Sequence, residues 1–275
     1  MCGVNAGGIP SRGTPVRSAP TLVFDIETVP DTELGRRLYG LKDLSDEQVA
    51  QIMFTKRRQE IGSEFLSHEQ HRVVAISVIM RSRDSLKVWS LGEEGSSEKD
   101  LLERFFDGLD RYTPELVSWN GASFDLPVLH YRSLLHSITA ARYWETGDGD
   151  SSFRYSNYLS RYHWRHMDLM DILSGFQGRG RASLQDVACL LGLPGKLGMH
   201  GSKVWEVYLQ GGLKRIRDYC ETDVLNTYLI YLRFELLRGR LNALEHAQEI
   251  ARVRQLLQDS SAAHFQEFAA AWPGP

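Results

Sequence analysis

The sequence predicts an α/β domain: one mixed β-sheet flanked by helices, with a helical arm inserted near its start. Three features carry this expectation. Extended, β-branched runs come first (TLVFDIETV at 21–29, VVAISVIM at 73–80), strand and helix patterns alternate after residue 90, and long helical patterns close the chain. Bulk composition agrees. Of 275 residues, 42% are hydrophobic and 24% charged, and 32 basic against 35 acidic residues leave a net charge of −3. That is globular material, too apolar for a disordered chain and long enough to bury a sizeable core.

Residues 1–20 are rich in Gly, Pro, Ser and Arg and read as a disordered lead-in. They hold no continuous apolar stretch, so no signal peptide is expected. No run in the chain approaches the roughly 18 apolar residues of a transmembrane helix. Thr21–Val29 is a strand with polar positions at Asp25 and Glu27, and Pro30 ends it. Residues 31–72 are charged and helical in pattern, an inserted arm. Val73–Met80 is a buried strand, joined to a second at Leu86–Leu91 by the hairpin turn RSRDS. Leu101, Leu102, Phe105, Phe106 and Leu109 recur at helical spacing, giving a helix over Glu98–Tyr112. Leu116–Trp119 reads as a strand and Asp125–Leu135 as a helix. Residues 137–162 are irregular, and His166–Leu173 is a short strand or a strand-to-helix joint. Ser183 caps a helix that runs to Leu191 and stops at Gly192. A long amphipathic helix is expected over Leu213–Arg238 and another over Leu241–Leu257. The organisation expected is a lead-in at 1–20, an α/β domain at 21–240 containing the 31–72 arm, and a helical extension at 241–275.

The informative residues are acids in apolar surroundings. Asp25 and Glu27 stand at i and i+2 of a strand, so both side chains leave the same face. Two ionised carboxylates side by side cannot be plain core; either that face meets water or a cation neutralises it. Alone the pair says little, because 35 acids in 275 residues produce roughly four such pairs by chance. Asp125 follows WNGASF at a strand-to-helix turn, where α/β sheets place ligands, although a helix dipole also favours an acid there. Asp223 lies one helical turn beyond Tyr219, on the same helix face. Together the four acids fit hard divalent cations, Mg²⁺ or Mn²⁺. Two such ions clamp the attacking and leaving oxygens of a phosphodiester displacement, and a phenol beside one of them can orient the attacking water.

These motifs, FDIET (24–28), WNGASFD (119–125) and YCETD (219–223), resemble those of DEDD-type 3′–5′ exonucleases of the ribonuclease H-like fold. The Tyr-x₃-Asp spacing marks the tyrosine branch. The segments HRVVAIS, WNGASFDLPVLHYR, HMDLMDIL, LPGKLGMHGSKVWE and YCETDVLNTYLIYLRFELLRG resemble, more narrowly, bacterial stand-alone exonucleases related to the proofreading domain of family B DNA polymerases. The resemblance spans about residues 21–240. It implies a ribonuclease H-like mixed sheet and two divalent ions, Mg²⁺ or Mn²⁺, held by Asp25, Glu27, Asp125 and Asp223. It implies that Tyr219 orients the water. Thr28, Asn120 and Phe124 would contact the terminal nucleotides, Phe124 by stacking on a base. The implied reaction is hydrolysis at the 3′ end of single-stranded DNA, releasing nucleoside 5′-monophosphates. The same chemistry on RNA is an alternative, since no residue reads as a sensor of the 2′-hydroxyl. A non-catalytic nucleic-acid-binding or docking subunit is another. Because only some 35 residues follow position 240, a DNA polymerase or repair partner would act in trans.

Other features weigh less. Lys196 and Lys203 flank the glycine-rich GKLGMHGSK, where a backbone can approach a phosphate chain and the lysines can hold it. Asp168 and Asp171 read as structural, Asp168 as a helix cap. Lys56, Arg57 and Arg58 read as a solvated helix face. Nine histidines show no HxH or HExxH pattern, so zinc chemistry has no support. The N-terminal MCG is similar to the start of amidotransferases with a cysteine nucleophile, but the Gly-, Pro- and Arg-rich residues after it depart from that pattern. Three cysteines form no disulfide framework and no CxxC pair, so a reducing cytoplasmic setting without a membrane is expected.

Overall fold

A computed structural model describes residues 19–273 of the chain. The lead-in expected at 1–20 therefore lies, save its last two residues, outside the described residues. Five strands form one sheet: β1 (Thr21–Pro30), β2 (His71–Arg81), β3 (Leu86–Ser90), β4 (Glu115–Ser118) and β5 (His166–Asp168). Their order is β3-β2-β1-β4-β5. The first three run antiparallel as a meander, and β4 and β5 continue parallel to β1. This is the mixed sheet expected, with β1 at its centre.

Helices follow capping signals written in the sequence. The arm is α1 (Thr32–Tyr39), capped by Asp31, and α2 (Asp46–Ile61), opened by a Ser45–Gln48 capping box. Then come α3 (Glu98–Tyr112), capped by Ser97, and α4 (Asp125–His136). The short α5 (Leu169–Leu173) is capped by Asp168, and α6 (Leu184–Leu190) by Ser183. Next are α7 (Val204–Leu209), α8 (Leu213–Leu237), α9 (Ala243–Asp259) and α10 (Ala263–Ala271). Sequence reasoning missed α7 and α10. Six and nine residues are too few for a 3.6-residue periodicity to stand out.

Strand alternation divides β1 between two cores. Leu22, Phe24 and Ile26 pack with Phe105, Phe106 and Leu129 of α3 and α4. Val23 lies on the other face, with Val117, Met167 and the α8 residues Val224, Tyr228 and Leu229. The expectation that α8 is amphipathic needs correction, because every residue from Thr222 to Leu232 is buried. The sheet covers one side of the helix, while Val253, Leu257, Phe265 and Phe268 of α9 and α10 cover the other.

The arm is tied to the body through Arg132 of α4. Its guanidinium, 4% exposed, makes two bonds to Glu98 (2.7 and 2.6 Å) and one to the cap Asp31 (2.5 Å). Glu98 in turn accepts the Val73 amide at 2.7 Å. Replacing Arg132 by Met would strand two buried carboxylates. The expected loss is about 3–5 kcal/mol in urea denaturation. The exposed Arg104–Asp100 pair serves as control, and Arg104→Met should leave the denaturation midpoint nearly unchanged.

Candidate active site

The site begins at an irregularity in β1. Its register with β2 slips between Glu27, opposite Ala75, and Thr28, opposite Val73. Such a bulge bends the strand and re-aims its side chains. Asp25 and Glu27 point to the α8 face, and α8 brings Tyr219 and Asp223 to meet them. On the other edge, β4 pairs with β1 only as far as Val23. The edge beyond is closed by Asp125, the first residue of α4, whose Oδ1 accepts the Ile26 amide at 3.1 Å. Four carboxylates from β1, α4 and α8 are thereby gathered, as the three sequence motifs require.

The loop that delivers Asp125 is held at several points. Asn120 takes a left-handed conformation (φ 67°). A Cβ on Gly121 would fall 2.4 Å from Ser118 Oγ, so only glycine fits there. Asp168 accepts the amides of Asn120 (2.9 Å) and Ala122 (3.0 Å) while capping α5, the structural role expected for it. His68, at the end of the arm, bonds the Ser123 carbonyl at 2.9 Å.

Burial and mutual repulsion dominate the electrostatics. Glu27, Asp125 and Asp223 are buried and Asp25 partly so. Burial holds Asp25 and Glu27 well above the usual carboxylate range, and the neighbouring acids add to the rise. Asp125 is pushed up to about 7, chiefly by burial and against the backbone amides that bond it. Burial likewise raises Asp223. Lys196 opposes these shifts. Its Nζ donates to Tyr219 Oη at 2.6 Å and lies 3.5 Å from Asp223 Oδ2. Burial pushes the Tyr219 phenol up, so it stays protonated and can donate. Among the described residues, Asp223 Oδ1 is buried with no hydrogen-bond partner.

That orphaned oxygen, inside an all-carboxylate set, fits a hard divalent cation. Cys220 Sγ is the odd neighbour, 3.5 Å from Asp25 Oδ2, with ligand atoms of Asp25, Glu27 and Cys220 within 4.8 Å of one another. Its thiol is held protonated by burial and adjacent carboxylates, so it donates to Asp25 and is no ligand for a hard ion.

The two lysines part company. Lys196 enters the cluster because Asn226, buried in α8, clamps Gly195 by exchanging bonds of 3.1 and 2.9 Å with its backbone. Lys203 stays on the surface, paired with Glu206, and is not brought to the carboxylates. Sequence reasoning missed Asn226, whose signal was an amide in an otherwise apolar helix run.

Beside Glu27 and Thr28 opens a cavity of 490 Å³ with largely apolar walls that include Phe65, Phe124 and Trp205. Phe124 meets Phe65 at 5.4 Å and His71 edge-on at 5.1 Å between ring centroids. Burial lowers His71 to about 4, so it is neutral near pH 7. Its Nε2 faces the Leu66 carbonyl at 3.3 Å, which leaves Nδ1 to accept from the Thr28 hydroxyl at 2.8 Å. Thr28 and Phe124 thus border this cavity, and Asn120 lies partly buried in the adjoining loop. Phe65, His71 and Trp205 were not anticipated; no motif marks Phe65, while His71 opens HRVVAIS and Trp205 stands near the end of LPGKLGMHGSKVWE, neither with a chemical signal of its own. A larger cavity of 670 Å³, between α3 and β3, contains none of the four carboxylates.

No curated protein matches the chain. Among solved structures it is similar to the family B DNA polymerase of the hyperthermophilic archaeon Pyrobaculum calidifontis, at 18% identity and a TM-score of 0.49 over 87% of this chain. The chain spans 28% of that polymerase's length. Residues 63–272 match a family described as "Predicted 3′-5′ exonuclease related to the exonuclease domain of PolB". The matched span holds Asp125, Tyr219 and Asp223; Asp25 and Glu27 precede it, and it is the fold that adds them to the cluster. With most of its length matched, the chain belongs to this family of 3′–5′ exonucleases related to the PolB exonuclease domain, hydrolases of phosphodiester bonds.

Proposed function

We propose that the chain is a metal-dependent exonuclease that removes nucleoside 5′-monophosphates from the 3′ end of single-stranded DNA. The observation that carries this reading is the convergence of Asp25, Glu27, Asp125 and Asp223 beside Tyr219, with Asp223 Oδ1 unpartnered among the described residues. These four residues would hold Mg²⁺ or Mn²⁺, two ions in the reading favoured by the motifs. Bound ions of this kind polarise the scissile phosphate and activate water as a nucleophile. Tyr219, protonated and bonded to Lys196, is the group to orient that water. Lys196 adds a cation that can meet the negative charge of the phosphate. Thr28, Phe65, Phe124 and Trp205 offer the terminal nucleotide a largely apolar berth. Two residues of that berth come from outside the three acid-bearing motifs, Phe65 from the end of the 31–72 arm and Trp205 from α7. Asn120 is placed to contact the next nucleotide. Lys203 is left a surface role on the phosphate chain. The catalytic unit is taken as 21–240, braced by the 241–275 extension, in a cytoplasmic setting. A polymerase or repair partner in trans belongs to the same proposal. Among the described residues, no helix is long and apolar enough to cross a membrane.

Three experiments test this reading. With 5′-labelled single-stranded DNA and matching RNA, the protein should shorten DNA from its 3′ end in Mg²⁺ or Mn²⁺. EDTA and Asp25→Ala should abolish the ladder. RNA as the only strand degraded would replace the substrate assignment, and no cleavage of either would sink the enzyme.

Asp223→Asn should lower the rate by on the order of 10³-fold and Tyr219→Phe by roughly 10- to 100-fold. Equal losses in steady-state kinetics would give the tyrosine another role.

The third concerns stability without metal. The raised carboxylate values mean that the folded state prefers these groups protonated, so their contribution is greatest below the ordinary carboxyl value of 3.8 and is lost as pH rises through about 7, where Asp125 titrates. The melting temperature in EDTA should therefore fall over that window. Mn²⁺ should restore it at pH 7, and Asp223→Asn should raise it in EDTA. A metal-free melting temperature that is flat across the window would contradict the clustering.

A further inference from the structure

Residues 151–185 carry five arginines (Arg154, Arg161, Arg165, Arg179, Arg181) and two acids (Asp168, Asp171) in a chain whose net charge is −3. Both acids are buried, at 5% and 3% exposure, so the surface of this segment presents only positive charge. Asp171 binds two guanidinium groups, Arg161 at 2.5 Å and Arg181 at 2.7 Å. One carboxylate cannot neutralise two cations. Their side chains remain 43% and 31% exposed, with donors left over for a phosphate. Aromatic rings stand among them. Tyr162 is 69% exposed and meets Phe176 at 5.0 Å, and Arg161 lies 5.2 Å over the Phe176 ring. Two residues on, Trp164 is 48% exposed beneath Arg238 at 4.5 Å. Exposed aromatic faces interleaved with arginines suit unpaired bases and their phosphates, since stacking tolerates any base.

This face is joined to the active site by one short element. Asp168 holds the loop of Asn120 and Ala122, and Asp171 follows one turn later in α5. The two arginines on Asp171 are therefore tied, through α5 and its cap, to the loop that delivers Asp125.

We propose that the Arg161–Tyr162–Phe176–Arg181 face holds the 5′-ward stretch of a single strand whose 3′ end occupies the carboxylate cluster. The proposal rests on the exonuclease reading for the identity of the strand, and binding tests it independently of cleavage. The probes are fluorescent oligothymidylates of 20 and 4 nucleotides. Anisotropy is read in EDTA, where no hydrolysis occurs, and KM and kcat are read in Mn²⁺. The variant is Arg161→Ala with Tyr162→Ala, which leaves Arg181 on Asp171; Tyr162→Phe, which keeps the ring, is the control.

Affinity for the 20-mer should fall about tenfold in the double variant, through one lost stack and one lost phosphate contact. The slope of log affinity against log salt should shrink by about 0.7. KM for the 20-mer should rise in step, while kcat and the 4-mer kinetics stay unchanged and Tyr162→Phe behaves as wild type. Unchanged 20-mer binding, or equal losses on both lengths, would overturn the proposal, as would a wild-type protein that does not bind the 20-mer. If the wild type binds the 20-mer through this face yet cleaves neither length, the exonuclease reading fails and the face stands.

Discussion

Gathering four carboxylates at one buried point is the constraint on which the rest of the molecule depends. Like charges in a low-dielectric setting repel, and burial alone disfavours each ion. A fold that keeps them together must be rigid enough not to relieve the strain by moving apart. The site is accordingly built on the central strand and on a helix whose stretch from Thr222 to Leu232 is buried on all sides. Asp125 is not left to a loose loop. Asp168, a glycine that admits no side chain, and the Ile26 amide fix it from three directions.

The same constraint explains Lys196. Without metal, its ammonium offsets part of the carboxylate charge and bonds the tyrosine that would orient water. Asn226 holds the loop that brings it there. A carboxylate cluster that is costly when empty would gain most from the cation proposed for it, so stability and function are expected to trade against each other at these positions.

The arm at 31–72 has a defined mechanical place. Asp31 and Glu98 share Arg132 at one end. At the other, His68 bonds the motif loop, and Phe65 and His71 pack on Phe124. A segment that looked like an insertion between two strands thus supplies a wall of the cavity next to the carboxylates. The C-terminal helices act from the opposite side. His264 of α10 bonds Glu221 at 2.9 Å, within two residues of Tyr219, and Glu221 is bonded to Ser90 of β3.

By itself, the sequence determined the mixed sheet, the arm, the helix caps at Asp168 and Ser183 and the residues of the three motifs. All of these are local: alternation, 3.6-residue spacing, capping side chains and short motifs need no knowledge of distant neighbours. Only the tertiary structure decided that Lys196 joins the carboxylates while Lys203 does not, because a clamp from a helix 31 residues away bends the loop that carries them. It also decided that α8 is buried all round from Thr222 to Leu232, since its outer cover comes from α9 and α10, and that Phe65 and Trp205 share one cavity although 140 positions separate them. Such facts depend on which surfaces meet, and no pattern within either segment records its partner.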